Sequence, residues 1–189
     1  KNNNNVVIFP EGRLSIDGTN YNNVENIGAL VKKVRIPVNI INIYGAYSVI
    51  NKWSKKSHRG PVRIENKALL KIEDIDKMTI EEINSFIDKN LFINEFTMTK
   101  KFNMKYHSSK KALGLENVLY YCPHCQKEFS FKSDKNSLIC SHCGETFTIN
   151  KFFSFEKNEY NINTIHDFYL MQKSYETAQM KINPVLKTK

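Results

Sequence analysis

Four cysteines carry the clearest chemistry in this sequence. They stand as two pairs, Cys122/Cys125 in "CPHC" and Cys140/Cys143 in "CSHCG", with fourteen residues between the pairs. A two-residue gap lets both sulfurs of a pair face one ion, and four thiolates suit a tetrahedral zinc shell. Gly144, directly after the second pair, permits the tight backbone of a knuckle. No other cysteine occurs, so the pattern is metal spacing rather than a secreted disulfide framework, and it points to a reducing compartment. Cys122, Cys125, Cys140 and Cys143 are therefore expected to hold one structural zinc ion. His124 and His142 sit inside the knuckles, but four cysteines already close the shell. Tyr120, Tyr121, Phe129, Phe131 and Phe147 are expected to pack short hairpins around the ion. A module this small has little core of its own, so metal binding would supply much of its folding free energy.

The second chemical stretch is "VVIFPEGRLSIDG", Val6 to Gly18. Four apolar residues run into Pro10, which cannot donate to a strand ladder. The carboxyl end of a parallel strand is where α/β proteins hold ligands. Glu11 offers two acceptor oxygens, Gly12 lets a ligand approach the main chain, and Arg13 can grip a phosphate through paired hydrogen bonds. The simpler alternative is a turn with a surface ion pair. Residues 48–64 contain Lys52, Lys55, Lys56, Arg59 and Arg63 and no acid. Lys52, Lys55 and Arg59 are candidates for a phosphate rim, against the alternative of a solvated loop. Trp53 within that stretch fits either a membrane interface or a cap on the core.

These residues need a frame. Val6 to Phe9 reads as a strand buried on both faces. Val24, Ile27, Leu30, Val31 and Val34 recur at helical spacing, and "IPVNIINIYG" reads as a second strand. Strand, helix and strand within about 40 residues make a βαβ unit with parallel strands. Gly28 inside the helix implies close packing against the sheet. "PVRI" is a further short strand. Thr79 and Glu82 match a capping box, and Ile80, Ile83, Phe86, Ile87 and Leu91 give an amphipathic helix over 80–92. The lysines of 97–111, with no acid among them, read as a solvated linker or helix end. Residues 162–180 read as helical, with Ile165, Phe168, Tyr169, Gln172 and Tyr175 on related faces.

"IFPEG", a turn, a helix ending in "GALVKKV" and then "IPVNIINI" together resemble the lysophospholipid acyltransferase family, which makes phosphatidate from 1-acylglycerol-3-phosphate. The family's Phe-Pro-Glu-Gly block is matched by Phe9, Pro10, Glu11 and Gly12. Its proline-containing strand is matched loosely by Ile36 to Ile43, with the second proline missing. "GPVRI" is similar to the family's next strand, and Gly114 to Tyr120, "GLENVLY", resembles the segment that introduces a C-terminal zinc ribbon in some members. Two departures stand out. Arginine follows glycine directly at Arg13, where the commonest pattern has it one residue later. The family's His-x-x-x-x-Asp block, whose histidine takes the hydroxyl proton, has no match: the residues five after the histidines are Arg63, Ala112, Phe129, Phe147 and Met171.

The resemblance implies an α/β fold: a partial acyltransferase sheet domain over 1–96, a basic linker over 97–114, a zinc ribbon over 115–155 and a helical tail over 156–189. It implies transfer of a fatty acyl chain from acyl-CoA or acyl-carrier protein to a lysophospholipid acceptor, in phospholipid biosynthesis. Glu11, Gly12 and Arg13 would bind the acceptor, and the chain would work at the cytoplasmic face of a membrane. With no initiator Met, and "KNNNN" running straight into an apolar stretch, the chain reads as a piece that begins mid-protein and lacks the catalytic block.

Composition bounds these expectations. The 189 residues allow one medium domain and a small module. The net charge of +9 favours anionic partners, but twenty-four lysines stand against four arginines, a bias that an AT-rich genome alone can produce. A zinc-ribbon protein that binds nucleic acid is the alternative reading, disfavoured because aromatic support explains the ribbon's aromatics more simply. No signal peptide and no run of about 18 apolar residues is present.

Overall fold

The computed structural model describes residues 5–20, 26–54 and 56–182. Two hydrophobic clusters organise the chain, one beneath a two-stranded sheet and one around the cysteines.

The first cluster begins with α1 (Ile27–Val34) and β1 (Val38–Tyr44). A turn of helix, α2 (Ala46–Val49), leads through a loop to β2 (Arg63–Leu70). β1 and β2 pair antiparallel, from Val38 opposite Leu70 to Tyr44 opposite Arg63, with a register shift between Ile40 and Ile41. The parallel βαβ unit expected from the sequence is not formed by the described residues. Val6–Phe9 lies in no strand there and is exposed, Phe9 by 76%. The physical reason is the return loop: His58 N–H donates to Val49 O at 2.8 Å, closing the loop so that the next strand comes back alongside β1.

α4 (Ile80–Leu91) lies on the inner face of this sheet, with α1 and α3 (Ile72–Lys77) packed into the same cluster. Val31, Ile40, Leu70, Ile75, Ile83 and Ile87 are buried together there. The Thr79/Glu82 capping box forms as the sequence predicts: Glu82 N–H donates to Thr79 Oγ1 at 3.1 Å and Thr79 N–H to Glu82 Oε2 at 2.7 Å. Gly28 is indeed a close-packing position, but its partner is α4 and not the sheet. A Cβ there would lie 2.6 Å from Ile80 O, and Gly28 N–H donates to Asn84 Oδ1 at 2.7 Å. Arg35, just past α1, makes a two-pronged pair with Asp76 at 2.7 Å on each arm, and this pairing holds the Asp76 carboxyl below its usual range. Arg35 and Asp76 are both exposed, so the pair aligns α1 with α3 more than it stabilises.

α5 (Glu95–Lys101) links the two clusters. Glu95 is buried, and its carboxylate accepts from Gly45 N–H, Ser48 N–H and Ser48 Oγ at the start of α2. Burial pushes its pKa up, opposed by those three hydrogen bonds. The lysine-rich stretch that follows is not simply solvated. Met104 and Tyr106 enter the core, and Tyr106 OH donates to Pro61 O at 3.1 Å. Lysine counts conceal this, because the apolar residues between the lysines do the packing. Trp53 is a core residue, its Nε1–H donating to Tyr47 OH at 3.0 Å.

The second cluster is the cysteine module. β3 (Phe131–Asp134), β4 (Ser137–Cys140) and β5 (Thr146–Thr148) form an antiparallel sheet in that order. α6 (Ile165–Ile182) packs against it, starting three residues later and ending two residues later than the helix expected over 162–180. Phe168 is fully buried and meets Phe131 and Phe147 edge-on at 5.9 and 5.0 Å between centroids. Among the described residues no helix is long and apolar enough to cross a membrane.

Candidate functional site

The two cysteine pairs are built alike. Cys122 N–H donates to Lys127 O, and Gln126 N–H returns to Cys122 O at 2.9 Å. Cys140 N–H donates to Glu145 O, and Gly144 N–H returns to Cys140 O at 2.9 Å. The residue after each second cysteine is left-handed: Gly144 at φ 81 and Gln126 at φ 58. Glycine takes that conformation without strain, and the first knuckle imposes it on glutamine.

These turns bring the four sulfurs within 4.8 Å of one another. Cys122 Sγ lies 3.7 Å from Cys143 Sγ, and Cys125 Sγ 3.7 Å from Cys140 Sγ. A tetrahedron with metal–sulfur bonds of about 2.3 Å has edges of about 3.8 Å. The four cysteines can therefore hold one metal ion as they stand. The sulfurs are not equivalent. Burial pushes the Cys122 thiol up to about 12. Burial also acts upward on Cys140, but Ser130 Oγ at 3.2 Å and the N–H groups of Cys143 and His142 outweigh it and bring that thiol down to about 6. His124 turns to Tyr160 OH at 2.9 Å, and both His124 and His142 are exposed on the knuckles.

α6 supports the first knuckle from behind. Gln172, buried, accepts from Tyr120 N–H at 2.8 Å and Tyr121 N–H at 3.2 Å, and its Nε2 donates to Val118 O at 3.1 Å. Tyr175 stacks on Tyr121 with centroids 3.9 Å apart. Of the aromatics expected around the metal, Tyr121, Phe131 and Phe147 are buried, but Phe129 is 79% exposed and only stacks on Tyr120.

Glu11, Gly12 and Arg13 lie together on one turn, closed by Gly12 N–H to Phe9 O at 3.1 Å. Gly12 and Arg13 are exposed and Glu11 half-buried. Glu11 Oε1 accepts from Asn20 Nδ2, and Asn20 Oδ1 in turn accepts from Ile93 N–H, so the turn is tied to the chain before α5. Lys52 and Arg59 are exposed on the loop between α2 and β2, and Lys55 lies outside the described residues.

One pairing was not anticipated. Asp17, buried four residues beyond Arg13 in the chain, accepts from Thr19 N–H and Thr19 Oγ1, and its Oδ2 lies 2.8 Å from His166 Nδ1 on α6. The two residues are 149 positions apart, and no local pattern announces the contact. No protein-family model, curated protein or solved structure matches the chain.

Proposed function

We propose that the chain is the acceptor-holding part of a fatty acyltransferase, braced by a structural zinc ribbon. The zinc reading is carried by one observation: four thiol sulfurs from two matched knuckles lie within 4.8 Å of one another, two of the pairs at 3.7 Å. An all-cysteine shell leaves no open position for substrate or water, so the ion would cross-link the knuckles rather than take part in a reaction.

The acyltransferase reading rests on the likeness of Phe9–Gly12 to the family's block. In this reading Arg13 holds the acceptor's phosphate and Glu11 helps hold its glycerol. The acyl group would pass from the thioester of acyl-CoA or acyl-carrier protein to the acceptor hydroxyl. Arg13 is exposed beside a residue without a side chain, which supports access by a phosphate. Val6, Val7, Phe9 and Leu14 flank the same turn and are exposed, which supports work at a lipid surface. Since no histidine stands five residues before an aspartate, this chain is expected to bind acceptor without turning it over.

The test is binding of lysophosphatidate to the full chain, with zinc counted by elemental analysis. Arg13→Gln should weaken binding roughly tenfold, the loss of one charge-assisted hydrogen-bonded pair. Unchanged binding in both Arg13→Gln and Glu11→Ala rejects the acyltransferase reading; a chain purified without metal, or one that keeps its metal in Cys143→Ser, rejects the zinc reading. A nucleic-acid role is second. Its favouring observation is the exposed Phe129 stacked on Tyr120, a surface on which a base can stack. Tyr120 OH donates to Glu176, however, which puts a carboxylate where a phosphate backbone would run. Steeply salt-dependent RNA binding would favour this second reading, and its absence removes it.

A further inference from the structure

We propose that the cysteine centre is a redox switch: hydrogen peroxide enters at Cys143, joins it to Cys122 across the two knuckles and sets the ion free. The proposal rests on the zinc reading and is independent of the acyltransferase one.

The four sulfurs are unequally protected. Cys122 is fully buried and Cys140 is 1% exposed. Ser130 Oγ lies against Cys140 Sγ at 3.2 Å. Cys125 is half-buried, and of the four cysteines Cys143 alone is exposed. The backbone makes this difference within one knuckle. Cys140 ends β4 and faces the core, whereas Cys143 stands on the turn beyond the strand. Its chain neighbours Ser141, His142 and Gly144 are exposed too. The space beside it is open, since a Cβ on Gly144 would meet no atom within 4 Å apart from its chain neighbours. A small oxidant can therefore reach Cys143 without any movement of the ribbon.

Geometry also selects the second sulfur. Cys122 Sγ, on the other knuckle, lies 3.7 Å from Cys143 Sγ. Thiolate sulfur is the group that peroxide oxidises. Cys143 Sγ gives two electrons to one peroxide oxygen: an S–O bond forms, the O–O bond breaks and hydroxide leaves. Cys122 Sγ then attacks Cys143 Sγ: the S–S bond forms, the S–O bond breaks and a second hydroxide leaves. Two thiolates are thereby oxidised to a disulfide, and one peroxide is reduced to two hydroxide ions. Cys125 and Cys140 are then the only thiolates left, half of the shell that a structural zinc site needs. The new bond runs between the knuckles that the ion had joined, so the ribbon stays cross-linked while the metal departs.

The test uses the full chain as purified. Zinc is counted by elemental analysis, hydrogen peroxide is added, and released zinc is followed with a colorimetric chelator. Release should keep step with the loss of free thiols, and dithiothreitol with added zinc should restore the metal. Peptide mapping should find a Cys122–Cys143 disulfide and, when dimedone is present to trap sulfenic acid, its adduct on Cys143. A chain that holds no zinc before peroxide overturns the zinc reading and this proposal with it. A zinc-loaded chain that keeps its ion in peroxide overturns the proposal alone. So does dimedone found first on another cysteine, a disulfide formed within one knuckle, or a release that dithiothreitol and zinc do not reverse.

Discussion

The ribbon and the two-stranded sheet solve the same problem in opposite ways. Each is a small sheet with one face to bury. The ribbon closes its core with α6 and a ring of aromatics, Phe131, Phe147, Phe155 and Phe168, and gathers four sulfurs at one place. β1 and β2 cover only their inner face. Ile41, Ile43, Ile64 and Leu69 on the outer side remain exposed, Ile64 by 69%. The difference is one of anchoring: the ribbon sits in a large aromatic cluster and gathers four sulfurs, and the sheet rests on six buried aliphatic residues.

Removing the metal should separate the two regions most sharply. A structural tetrathiolate ion contributes on the order of 10 kcal/mol to the folding of such a module. Chelation should therefore strip hydrogen-exchange protection from β3–β5, while β1 and β2 keep theirs. Equal loss in both regions would show one cooperative unit. Phe168→Ala should come next, costing about 3–5 kcal/mol through a cavity between α6 and the ribbon, read by urea unfolding. Gly28→Ala attacks the other side. Its Cβ would push on Ile80 O, at a cost of about 1–3 kcal/mol, with metal binding unchanged by cobalt absorption.

The smallest effect belongs to the join. Burial raises the pKa of Glu95, so the folded state holds its proton more tightly than the unfolded chain. Stability from this group is complete below the ordinary glutamate range and falls as pH rises through the elevated folded value. Glu95→Gln should flatten that part of the profile in urea unfolding at several pH values. An unchanged slope would place the titration elsewhere.

Local signals in the sequence were readable, and non-local ones were not. The Thr79–Glu82 box, the two knuckles and the α6 face each depend on residues within a few positions of one another. The β1–β2 pairing does not: an apolar strand run fits parallel or antiparallel neighbours equally, and only the closed return loop decides. Gly28 announced close packing but not its partner. Lys111 was hidden by its class, since one buried lysine looks like the other twenty-three. The Glu11–Arg13 turn could be located from the sequence, but the buried Asp17 that follows it in the chain could not be matched to its histidine.

That aspartate–histidine contact gives α6 two loads. His166 and Gln172 are six residues apart, about 9 Å along one rigid rod. Its first turn holds Asp17, and its middle holds Tyr120 and Tyr121 at the entry to the first knuckle. The helix acts as a tie-beam between the Asp17 segment and the cysteine knuckles, and a cut just before Ile165 would slacken both at once.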